Sequence, residues 1–69
     1  MKTLSFNYAI IDDKTNQYYL GSTHGDRSKD FGPPSLYNPV FTYTEDGAHK
    51  KMERFPMMFE GCSVVKFIA

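Results

Sequence analysis

Between residues 3 and 12 apolar and polar side chains alternate with a period of two. Leu4, Phe6, Tyr8 and Ile10 fall on one face, and Ser5, Asn7, Ala9 and Ile11 on the other, the pattern of a half-buried strand. The polar run Asp12–Gln17 interrupts it, and the aromatic run Tyr18-Tyr19-Leu20 follows before Gly21. Turn residues between two such runs predict a β-hairpin over 3–22. A type I turn over Asp13-Lys14-Thr15, with Asn16 in the left-handed region, suits the chain because Asn tolerates positive φ. That loop pairs Asp13 with Gln17, Ile11 with Tyr19 and Ile10 with Leu20, which puts Tyr19 on the face of Ile11.

The period changes after residue 44. Ala48, Met52 and Phe55 stand at i, i+4 and i+7, one stripe of a helix. Thr44 is placed to cap it, with Glu45 and Asp46 in the first turn and Lys50, Lys51 and Arg54 later. That order of charges matches the helix dipole. Pro56 disfavours helical geometry at Phe55, so the helix should run over about 45–54. Residues 40–43 read as a short strand or extended lead-in. Met57, Met58 and Phe59 form an apolar bridge, Gly61 marks a turn, and residues 62–68 read as the last strand. The expected fold class is α+β: one small domain over 1–69, with an antiparallel sheet of three to four strands and one helix on one face.

The segment THGDRSKDFGPPSLYNPV, residues 23–40, matches neither period. Compact domains rarely carry structureless connections beyond roughly 12–15 residues unless these are functional or disordered. The sheet also looks apolar on both faces: Ala9, Ile11 and Tyr19 line the second face of the hairpin, and in 62–68 neither side is polar. A single helix covers one face, so something must cover the other. One solution folds the long segment back as a lid carrying Phe31, Leu36 and Tyr37. Burial of those side chains is worth roughly 9–15 kcal/mol as an upper bound. Ordering the segment's backbone costs on the order of 18–36 kcal/mol, less what Pro33, Pro34 and Pro39 save by restricting the unfolded chain. The lid does not order the whole segment by itself. The other solution is a partner, either a different protein or a second copy of the chain forming a homodimer through that face.

Composition narrows the chemistry. Eight basic and eight acidic residues cancel, and the isoelectric point is near 6.7. General nucleic-acid binding runs on positive excess and counterion release, so neutrality argues against it and also removes a barrier to self-association. One cysteine excludes an internal disulfide. A single thiol suits a reducing compartment, so a cytoplasmic protein is expected. The N-terminal residues lack the pattern of a signal peptide, and no run is long enough to span a membrane.

No set of residues stands in catalytic order. His24, Asp26, Asp30 and His49 follow no metal-ligand spacing, so no metal and no cofactor is expected. Cys62 lies in an apolar strand, where a free cysteine packs as a small hydrophobe. Asp12 and Asp13 read as turn formers, since neighbours in a strand point to opposite faces. His49, Lys50, Lys51 and Arg54 form a basic helix face that defines an alternative, nucleic-acid-binding reading. Within the long loop, Arg27, Phe31 and Tyr37 are of types enriched in binding hot spots.

The stretches YAIIDDKTNQYYLG, FTYTEDGAHKKME and CSVVKF together resemble a layout found in small accessory proteins of bacteriophages and mobile elements: hairpin, loop, helix opening with Thr-Glu-acid-x-Ala, and a closing Val-rich strand. Asn16 stands where such turns often have Gly, and residues 23–40 have no counterpart in the layout. The resemblance implies a non-enzymatic protein in the host cytoplasm that binds and modulates or inhibits a host protein, sometimes as an anti-CRISPR. The partner-binding set expected from the residues is Arg27, Phe31, Leu36 and Tyr37, with Tyr19 from the adjoining sheet face.

Overall fold

The structure, a computed structural model, describes residues 6–21, 27–37 and 39–67, without the side chains of residues 27 and 28. Residues 3–5 and 22 of the expected hairpin, Ile68 of the expected last strand and the Arg27 side chain lie outside the described residues. The elements are β1 (Tyr8–Asp12), β2 (Tyr18–Tyr19), α1 (Arg27–Asp30), β3 (Phe31–Gly32), α2 (Glu45–Arg54) and β4 (Cys62–Lys66). The four strands form one antiparallel sheet in the order β3-β2-β1-β4, the α+β class expected.

The hairpin forms, but its register differs by one residue. Ile11 faces Tyr18 rather than Tyr19. Asp12 is the cause. Its backbone N–H donates to Gln17 O at 2.8 Å and its carbonyl accepts from Asn16 N at 2.7 Å. Its carboxylate accepts the N–H groups of Lys14 (2.9 Å) and Thr15 (3.4 Å). One side chain thus organises a four-residue loop, Asp13–Asn16, with Asn16 at φ 58° as expected. Because side chains alternate, a one-residue slip sends each to the opposite face. Tyr19 moves to the face of Ile10, and Tyr18 takes its place beside Ile11.

That slip builds the core. On the Ile10 face, Tyr19, Phe31 and Phe59 form an aromatic triad with centroid separations of 5.1–6.2 Å in tilted or edge-on geometry, the arrangement favoured by ring quadrupoles. Ala48 of α2 closes the cluster, and Tyr43, Met52, Met58, Cys62 and Val64 pack around it. Phe31 reaches the triad because β3 pairs with β2, Tyr19 opposite Phe31. The segment expected to be a loop throughout therefore contains a single helical turn and an edge strand, both too short to impose a sequence period.

Helix α2 spans the expected residues. The Thr44 hydroxyl accepts Gly47 N–H at 3.1 Å, a cap worth about 1 kcal/mol. The stripe is shorter than expected. Ala48 is buried and Met52 half-buried, but Phe55 is exposed. Phe55 is the C-terminal cap, at φ −127° and ψ 64°, a conformation imposed by Pro56, and Phe59 fills the core position instead. Residues 40–43 form no regular strand. A single bridge joins Tyr43 to Tyr8, and Phe41 N donates to Tyr19 O at 3.1 Å. Phe41 passes so close to Gly21 (φ 88°) that a Cβ there would lie 2.6 Å from its ring.

Candidate functional site

The second sheet face carries Ile11, Tyr18, Leu20, Val65 and Phe67, all half-buried, around the fully buried Ala9. Tyr18 and Phe67 meet edge to face at 5.3 Å across it. No helix among the described residues packs on this side. Phe67 also belongs to a cleft of about 590 Å³ that continues the face at one end. Phe6 and Asn7, leading into β1, and Phe67, following β4, make one wall. Pro34, Ser35, Pro39, Val40 and Thr42 make the other. The size is that of a ligand pocket, and among the described residues none that lines it is charged.

Both walls are fixed by backbone hydrogen bonds. Phe67 N donates to Asn7 O at 2.6 Å, Tyr43 N to Tyr8 O at 2.7 Å, and Tyr8 N to Tyr43 O at 3.0 Å. Behind the Asn7 wall lies one polar irregularity. The carboxamide oxygen of Asn7 is buried and has no hydrogen-bond partner. A buried acceptor left unmet costs roughly 1–3 kcal/mol, and such groups are rare enough to call for a reason.

Leu36 and Tyr37, which follow Ser35 of the lining in the chain, are 96% and 92% exposed. Tyr37 N–H donates to Ser35 Oγ at 3.2 Å, a local turn around Leu36. The expected lid is therefore not built. Phe31 is buried under the helix side, and Leu36 and Tyr37 cover nothing.

Of the expected partner-binding residues, Leu36 and Tyr37 are exposed, next in the chain to the cleft residue Ser35. Tyr19 and Phe31, 1% and 4% exposed, are corrected to core residues, Tyr19 through the register slip and Phe31 through β3. Sequence reasoning missed Phe6, Asn7 and Phe67 as a site. The available signal was Asn7, an amide on a strand face otherwise turning apolar.

The basic helix face also forms a recess. Lys50, Lys51 and Arg54 line a space of about 460 Å³ with Tyr43, Gly47 and Phe55, without His49. Their charges are largely answered locally. Lys50 pairs with Asp46 at 3.0 Å, which raises its pKa. Lys51 lies 4.6 Å and Arg54 5.8 Å from the Phe55 ring centre, at the helix end where the dipole is negative.

Titration elsewhere follows burial. Tyr43 is pushed up to about 12, chiefly by desolvation and then by Tyr19. Tyr19 is raised by burial and by the Asp30 carboxylate. Tyr8 is raised by its hydrogen bond to Glu45. Cys62 is half-buried on the core side, its thiol 4.0 Å from Glu60 O. Among the described residues no three metal-ligating side chains gather, and no helix is long and apolar enough to cross a membrane. No family model matches the chain, and no curated protein and no solved structure matches it.

Proposed function

We propose that the chain is a non-enzymatic interaction protein that docks an uncharged, apolar segment of another protein in the cleft between Asn7 and Pro39. The observation that carries this reading is the exposure of Leu36 and Tyr37, which follow Pro34 and Ser35 of the cleft's lining in the chain. Two large apolar side chains held in water beside an apolar recess gain free energy when a partner covers all of it. At about 25 cal/mol per Å², burying one aromatic of 150–250 Å² contributes roughly 4–6 kcal/mol before the costs of association. The absence of charge among the described lining residues favours a partner segment that is neither acidic nor basic. The resemblance to phage accessory proteins supports a host protein as the partner, bound in the cytoplasm and modulated or inhibited by being covered.

A photo-cross-linking residue at Leu36, in the full chain expressed at low concentration in bacterial cells, tests the reading. A discrete cross-linked partner is expected, lost when Tyr37→Ala is added and absent when the cross-linker stands at Lys14, in the hairpin turn at the other end of β1. Equal capture from both positions, or none from Leu36, overturns it.

A further inference from the structure

Strand β4 ends the sheet, with β1 on one side and, among the described residues, no strand on the other. The ladder fixes which way each of its backbone groups faces. Phe67 N donates to Asn7 O, so in the observed register Ser63, Val65 and Phe67 turn their N–H and C=O groups toward β1. The other side of β1 agrees: Tyr8 exchanges both backbone bonds with Tyr43, and Asp12 N donates to Gln17 O, away from β4. Cys62, Val64 and Lys66 therefore turn their backbone groups outward. Cys62 N is spent on Phe59 O. Among the described residues no hydrogen bond reaches the outward groups of Val64 and Lys66. The strand is also less enclosed than its neighbour: β1 buries Ala9, Ile10 and Asp12, and β4 buries none of its residues.

Unmatched N–H and C=O groups at strand spacing fit one chemistry, another extended backbone. The side chains narrow it further. A residue placed opposite Val65 lands on the second sheet face, beside the half-buried Val65 and Phe67. A residue placed opposite Lys66 lands on the other face, beside an exposed cation that forms no ion pair among the described residues. A second copy fits this edge poorly. The two-fold register that uses all the free groups pairs Val64 with Lys66 of the copy, which makes the two Lys66 side chains diagonal neighbours on one face. Pairing Lys66 with itself brings the like charges closer, and pairing Val64 with itself calls on the N–H of Cys62, already spent. We infer that β4 receives an extended segment of another protein, pairing antiparallel with Val64 and Lys66, with an apolar residue against Val65 and a carboxylate against Lys66. The inference goes beyond the docking reading of the cleft, since no residue of β4 lines the cleft, and either can fail alone.

A blocked synthetic peptide, Val-Glu-Val-Thr-Thr, added to the isotopically labelled full chain tests this by NMR. Its Glu is set for Lys66 and its second Val for Val65. In the free chain the amides of Val64 and Lys66 should exchange with solvent about tenfold faster, or more, than those of Ser63, Val65 and Phe67. Saturable binding is expected by about 1 mM peptide, with new protection concentrated at Val64 and Lys66. Methylating the nitrogens of the peptide's Glu and first Thr removes the donors that face β4, and should abolish binding. Methylating those of its second Val and last Thr, which face away, should leave binding in place. Exchanging the peptide's Glu for Lys should weaken binding about twofold to tenfold, and Lys66→Glu, a change at an exposed position, should reverse that preference. Equally slow exchange at all five amides of the free chain, no saturable binding, equal effects of the two methylation patterns, or a preference unmoved by Lys66→Glu each overturns the inference. Protection at Val64 and Lys66 that rises with protein concentration alone overturns it too, by making a second copy the occupant.

Discussion

Phe31 and Tyr37 stand six positions apart in one segment and meet opposite fates. Phe31 is the last large side chain before Gly32 and enters the sheet, because β3 hydrogen-bonds to β2 and sets Phe31 opposite Tyr19. Tyr37 follows two prolines and turns on a bond to Ser35 Oγ, with no strand to carry it inward. The same contrast separates the two sides of the molecule. Under α2 the rings of Tyr19, Phe31 and Phe59 satisfy one another, and around the cleft equally apolar groups meet water. What differs is the backbone. A ladder of hydrogen bonds delivers side chains to a chosen face, whereas a proline-rich bend only holds them at a place. A chain with room for one small core has put its ladder under the helix and left Leu36 and Tyr37 in water.

The sharpest way to break that contrast is to cut into the buried side. Tyr19→Ala, Phe31→Ala and Phe59→Ala should each cost about 3–5 kcal/mol, most of the stability of a domain this small. Urea unfolding followed by circular dichroism measures it. If the three losses were small, the triad would not be what holds the sheet to the helix, and the two sides would differ in exposure alone.

How much of this was legible follows the same division. The helix was readable to its ends, because Thr44, the acidic first turn and Pro56 are local signals and its period repeats. The hairpin was readable in kind but not in register. Whether the loop holds three or four residues is decided by the Asp12 carboxylate, a choice between two acceptable turns with no mark in the alternation. That single ambiguity displaced Tyr19 from the core to the expected binding surface. Residues 27–32 were illegible for another reason: one helical turn and a two-residue strand are shorter than any period, and only their tertiary pairing defines them. Tyr37 was read as a contact residue because its type is enriched in binding hot spots, and Leu36 because it shares the proline-stiffened segment that matches neither period. The cleft itself joins residues 6–7, 34–35, 39–40, 42 and 67, positions far apart along the chain that share no local signal.

A smaller effect sharpens the description of the buried side. Tyr43 is pushed up to about 12 from 10.0, and Tyr19 is raised as well. A folded-state pKa above the unfolded one means that the folded protein keeps its proton longer, so stability from these groups is fully present below pH 10. It falls as the pH rises through the folded values. Unfolding should therefore become easier between about pH 10 and 12, and Tyr43→Phe should flatten part of that decline. Tyr43 is only half-buried, so solvent screening keeps its share modest. A stability curve that is flat across this window, or one unchanged by Tyr43→Phe, would place the tyrosine hydroxyls in water rather than against the core.

The smallest effect is the most discriminating. Leu36→Ser and Tyr37→Ser remove as much apolar surface as many core changes do, yet both side chains are almost wholly in water. Each should alter monomer stability by no more than about 0.5 kcal/mol, measured by urea unfolding at a concentration where the chain is monomeric. Exposed apolar side chains that contribute nothing to the fold they sit on gain their free energy elsewhere, which is the property expected of a contact surface. A loss of several kcal/mol from either change would show that residues 36 and 37 hold the bend against the sheet after all. The two sides of the molecule would then be two parts of one core.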